Sequence, residues 1–206
     1  MNTFLKRSAL VASIALVVPA ASFAASFAAT GVGPIPDNLP AGGLVMSFNV
    51  AGAAAAPASV GVGITLTHTW VGDIIMTLTA PGGSPSAIIV RKIGDTTGTA
   101  FGDSSNFAGT YAFFDAHPGN IWTAAAAPGV TDLVAVPPGN YFPSAPLTGA
   151  AAPVNPVFAG LTPAQVNGTW TLTVSDNAAG DTGTITSATL FIDQTTPVSL
   201  QNFSVD

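Results

Sequence analysis

Residues 60–70 alternate without a break. Val60, Val62, Ile64, Leu66, His68 and Trp70 hold one phase; Gly61, Gly63, Thr65, Thr67 and Thr69 hold the other. Successive side chains of a strand point to opposite faces, so this period describes a strand buried on one side. Val71-Gly-Asp73 follows and reads as the turn of a hairpin, after which Ile74, Met76 and Leu78 continue the apolar phase. The style returns far downstream. Trp170, Leu172 and Val174 alternate with Thr, a polar turn covers 176–183, and Ala188, Leu190 and Ile192 mark one face of a returning strand over 184–193.

The rest of the chain fits the same architecture. Residues 44–50, 86–90 and 110–115 predict strands, and the alternating tail over 197–206 predicts an edge strand. Nowhere is helical periodicity sustained with caps, while 22 Gly and 17 Pro supply punctuation. Residues 123–163 are rich in Ala and Pro. Proline gives a ladder no donor, so this stretch reads as a long loop with one ordered anchor at 139–143. The fold expected is all-β, a jelly-roll-like β-sandwich of about seven to nine strands.

The N-terminus carries an address. Lys6 and Arg7 precede an apolar run over 8–19, and Ser22-Phe-Ala24 presents small residues to a signal peptidase. Residues 1–24 therefore read as a secretory signal peptide, with a second cleavage pattern at Ser26-Phe-Ala28. The mature chain, 25–206, reads as a single exported domain, secreted, periplasmic or at the cell surface, with no membrane span. Of the four basic residues only Arg91 and Lys92 remain against ten Asp, a balance of roughly −8. Without a basic footprint, nucleic acid and anionic membrane surfaces are excluded as partners. The chain has no Cys, so neither disulfides nor thiol chemistry enter.

Several segments, in order, resemble the P domain (Homo B domain) of kexin- and furin-like proprotein convertases and of bacterial secreted subtilisin-like proteases. They are Ile35-Pro-Asp-Asn38, Leu66-Thr-His-Thr-Trp-Val-Gly-Asp-Ile74, Leu78-Thr-Ala-Pro-Gly82, Gly139-Asn-Tyr-Phe-Pro143, Gly168-Thr-Trp-Thr-Leu172, Val174-Ser-Asp176 and Asp181-Thr-Gly183. The resemblance implies a β-jelly roll that stabilises an adjoining serine protease and adjusts its behaviour. It implies a structural role for His68, Trp70, Gly72, Asp73 and Trp170. No catalytic domain precedes these segments in the sequence, so the expectation is a stand-alone module.

Catalytic chemistry finds little purchase. There is no Gly-x-Ser-x-Gly elbow, and His68, between Leu66 and Trp70, reads as a satisfied core or turn-buttressing histidine. His117, in a Pro-Gly turn, reads as solvated. Two His and no Cys or His-Glu-x-x-His argue against zinc. No enzyme activity is expected. Calcium is the more credible ion because it takes carboxylates, carbonyls and water. Asp176, Asn177 and Asp181 form one candidate group; Asp103 and Asn106 with Asp115 form a second. The competing reading is that these side chains cap their own turns. Trp70 and Trp170 fall on apolar phases and read as core, whereas Trp122 reads as exposed.

The function expected is an exported, non-catalytic module that binds or stabilises another secreted or envelope protein, a subtilisin-like serine protease being the partner class implied by the resemblance. The alternative is a structural or adhesive cell-surface protein that self-associates through low-charge sheets with few Lys at their edges. A glycan-binding lectin is a third reading.

Overall fold

The apolar phases turn inward and meet. The computed structural model describes residues 22–127 and 134–195. Its strands are β1 (Ser22–Ala28), β2 (Pro34–Ile35), β3 (Leu44–Val50), β4 (Pro57–His68), β5 (Ile74–Thr79), β6 (Ser86–Arg91), β7 (Phe107–Phe113), β8 (Gly139–Tyr141), β9 (Gly168–Asp176) and β10 (Gly183–Thr195). Three short helices, α1 (Ile121–Ala125), α2 (Asn155–Phe158) and α3 (Pro163–Val166), join them. One sheet runs β1-β10-β4-β7-β8, with β2 also on β10; the other runs β3-β9-β5-β6. All pairings between these strands are antiparallel except β7 with β8. The protein is an all-β sandwich, with ten strands among the described residues where about seven to nine were expected.

Val62, Ile64 and Leu66 of one sheet and Met76, Leu78, Leu172 and Val174 of the other are almost fully buried in one core. Trp170 is its largest member. Its ring lies 5.0 Å from that of Phe158, and its Nε1 donates to the Val166 carbonyl at 2.8 Å. Burial of the ring and satisfaction of its one donor occur together, as a core Trp requires.

The hairpin expectation is corrected. β4 and β5 belong to different sheets, and Val71–Asp73 is a single turn of 3₁₀ helix that carries the chain from one to the other. The segment after β9 does the same, since β10 lies in the opposite sheet. Alternation fixes which side chains face inward, but it is silent on which sheet receives the next strand.

The 123–163 stretch is also more ordered than expected. β8 is the predicted anchor, but α1 and α2 flank it, and Val136, Val154, Phe158 and Leu161 are buried in the core. Residues 22–24 of the predicted leader lie in β1, which pairs with β10 from Ser22↔Thr195 to Ala28↔Thr189. A cut after Ala24 leaves four residues of that strand, and a cut after Ala28 leaves none. The remainder of the leader and the predicted tail strand over 197–206 lie outside the described residues.

Candidate binding site at the loop end

One end of the sandwich gathers the turn over 71–73, the loop after β6 and the turn between β9 and β10. Beneath them, His68 and Asp176 close the core. Both continue the inward phase of their strands, and both side chains are fully buried. His68 Nε2 lies 3.1 Å from Asp176 Oδ2, and the Trp70 N–H donates to His68 Nδ1 at 3.1 Å. Nδ1 also lies 2.9 Å from the Trp70 carbonyl, so it accepts from the amide or donates to the carbonyl according to its own proton, while Nε2 faces the carboxylate. Asp176 Oδ1 accepts from the Ala178 N–H at 3.1 Å. The pair bridges the two sheets and leaves no free base. Among the described residues no Ser or Thr hydroxyl is bonded to either ring nitrogen.

Two further buried aspartates lie in this region with opposite environments. Asp95 lies 3.0 Å from Lys92 Nζ. One of its oxygens also accepts from the N–H groups of Thr97, Gly98 and Ala100 at 3.0, 2.7 and 3.2 Å. Burial opposes its charge, but the ammonium and the three amides outweigh burial and hold its carboxyl below the usual range. Asp73 is 2 % exposed, and its Oδ1 has no hydrogen-bond partner. Burial first, then the charges of Asp176 and Asp181, push it up to about 7, with Lys92 opposing.

The outer surface is built on these residues. Gly72 has to be glycine: a Cβ there would collide with the Phe101 carbonyl and lie 2.7 Å from the Asp103 nitrogen. Because it is absent, the 101–103 segment packs against the turn, with the Gly72 N–H on the Asp103 carbonyl at 3.0 Å and the Val71 N–H on the Ser105 carbonyl at 2.9 Å. Trp70 is half-buried rather than core, which corrects the expectation. Its Nε1 donates to the Phe101 carbonyl at 2.7 Å, so the indole braces the loop. The Phe101 side chain is left 73 % exposed. In the turn between β9 and β10, Asp181 Oδ1 accepts from Thr69 Oγ1 at 2.7 Å, and the Gly180 N–H donates to Asp37 Oδ1 at 3.2 Å.

The residues of the two predicted calcium groups lie in the 176–181 turn, the loop before β7 and the start of α2. Asp176, Asn177 and Asp181 share a turn, but the Asn177 amide is turned to the Asp73 carbonyl at 2.9 Å. Asp103 accepts from the Ser105 N–H at 2.9 Å and from its hydroxyl. Asp115 lies elsewhere; its two oxygens accept from the Val154 and Asn155 N–H groups at 2.8 and 2.9 Å, capping the start of α2. Asn106 bridges to Ala135 through its backbone. Among the described residues no three His, Asp or Glu side chains come together as a metal-holding group. His117 is not simply solvated: its Nδ1 lies 3.2 Å from the Ala112 carbonyl and its ring packs on Phe114. Trp122 is partly buried against the core. Phe101 was not anticipated; a lone Phe in a Gly-, Ser- and Thr-rich loop was its signal in the sequence.

No family model and no curated protein matches this chain. Among solved structures it is similar to the Aeromonas sobria serine protease in complex with the chaperone ORF2, at 14 % identity and a TM-score of 0.49 over 88 % of this chain. A structure titled as that serine protease alone gives 14 % identity and a TM-score of 0.45 over 86 %. This chain spans 28 % of the length of each of those chains. Among the described residues no helix is long and apolar enough to cross a membrane.

Proposed function

We propose that this chain is an exported, non-catalytic, P-domain-like module that binds or stabilises a secreted or envelope protein through the loop end around Phe101. The partner class is a subtilisin-like serine protease, following the family resemblance. The observation that carries the reading is Phe101 itself. A large aromatic ring held open to water on a braced loop gains free energy when a partner covers it, and buried aromatic anchors dominate protein interfaces. The brace matters as much as the ring, because a preorganised loop loses little conformational freedom on docking.

Quantitative pull-down from secretome and envelope extract, with the mature chain as bait and its Phe101→Ala variant in parallel, tests this. One secreted or envelope protein enriched by the parent and lost with the variant supports it. Capture of the chain alone favours self-association and removes the reading.

Calcium belongs to this proposal only as a structural ion at the 176–181 turn, with Asp73 as an added oxygen ligand. Its support is the unpartnered Asp73 Oδ1 beside two other carboxylates. Melting in calcium against chelator tests it: higher stability in calcium supports the ion, and identical curves remove it.

A further inference from the structure

The open face of the β4-containing sheet carries a concavity that the protein-binding reading does not use. Its residues are set by register. Thr184 of β10 stands opposite Pro34 of β2 on one side and Thr67 of β4 on the other, and Thr67 stands opposite Ala108 of β7. These four make a row across four strands. One step further along, Thr69 and Thr182 meet through the Thr69 N–H and the Thr182 carbonyl at 3.2 Å. Asn106 and Ala135 wall the far side. The trough is open to solvent and has a volume of about 560 Å³, inside the roughly 300–1,000 Å³ of small-ligand sites.

Its chemistry is uncharged and hydroxylic. Among the described residues no carboxylate, ammonium or guanidinium lines it, in a chain with ten Asp. The His68 ring at its edge has both nitrogens engaged. The Thr69 hydroxyl is also engaged, donating to Asp181. The hydroxyls of Thr67, Thr182 and Thr184 are exposed and make no hydrogen bond to a described residue. Asn106 has an unmet demand, since its Oδ1 is buried without a partner. That oxygen is itself closed to the trough, so the groups a ligand meets are the threonine hydroxyls. The floor is a sheet face whose backbone groups are already in ladders, so a peptide cannot add here as a strand.

We infer that this trough binds a neutral saccharide. Each Thr hydroxyl both donates and accepts, as a sugar hydroxyl does. Thr67 and Thr184, as a cross-strand pair, stand about 5 Å apart at Cβ, comparable to the width of one sugar ring. The threonine methyls, Pro34 and Ala108 offer the apolar contact that a ring face needs. Phe107 of the lining is buried in the core and, among the described residues, offers no exposed ring for stacking, so the affinity is weak, with Kd about 1 mM.

The test is amide-resolved NMR titration of the mature chain with cellotetraose, maltotetraose and chitotetraose. An alanine tetrapeptide and a uronic-acid tetrasaccharide serve as the other arms. The expected result is saturable shifts at residues 67–69, 106–108 and 182–184 with at least one neutral sugar. Thr67→Val with Thr184→Val keeps both strands β-branched and weakens that sugar about tenfold, while Thr171→Val on the other sheet does not. Phe101→Ala leaves the shifts unchanged, which separates this site from the protein-binding surface. Absence of shifts with all three sugars overturns the inference. So does mapping of the shifts elsewhere, or an equal response to the peptide or the acidic sugar.

Discussion

Asp73 and Asp95 are the same residue type, equally buried and at the same end of the sandwich, yet they differ in what surrounds them. Asp95 has an ammonium and three amide donors, whereas Asp73 has an orphan oxygen and acidic neighbours. Burial raises the cost of charge at both. Donors decide whether the charge is kept. Asp95 ties the loop after β6 into a fixed shape by staying ionised. Ionisation of Asp73 costs folding stability, because its charge gains no donor for what burial removes. The loop end is thus rigid on one side and electrostatically loaded on the other.

The comparison breaks most severely at His68. His68→Ala removes the donor to Asp176 and turns a satisfied buried acid into a second Asp73. The expected loss is about 3–5 kcal/mol, because a buried charge is left uncompensated. Urea unfolding would show it as a lower midpoint at unchanged slope.

Asp95→Ala comes next. It strands Lys92, releases three amides and costs about 2–3 kcal/mol. The sign with pH follows from its depressed carboxyl. The stabilisation is present above the unfolded value near 4 and is lost as pH falls through the lower folded value. The parent and variant midpoints should therefore converge in strong acid.

Asp73→Asn acts in the opposite direction. With the folded carboxyl pushed up to about 7, the folded state binds the extra proton, and stability declines as pH rises from about 4 through 7. The amide cannot ionise, so the variant is more stable than the parent at pH about 8, and the gap closes towards pH about 4. Thermal melts at the two pH values check this. Phe101→Ala is the smallest, within about 0.5 kcal/mol of the parent in stability, because the ring is exposed.

Much of the sandwich was legible in the sequence. Period-two alternation placed β3, β4, β5 and β9, and it set His68 and Trp170 inward. The sheet switch at Val71–Asp73 was not legible, because a hairpin and a crossover share one alternation pattern. The 123–163 stretch hid its order because Val154, Phe158 and Leu161 keep helical spacing for only about two turns among Ala and Pro, and Val136 enters the core alone. Trp70 sat on the apolar phase, yet it lies just beyond the end of β4, where the phase no longer dictates burial. The contrast between Asp73 and Asp95 depends on donors brought by folding, which spacing alone does not display.

A photocrosslinking benzoylphenylalanine at position 101, compared with the same group at Val45 on the edge strand β3, tests the central claim most directly in cells of the source organism. Val45 is itself 52 % exposed, so simple accessibility is controlled. The account predicts one discrete adduct with a secreted or envelope protein from position 101 and none from position 45. No adduct from position 101, or the same products from both positions, would contradict it.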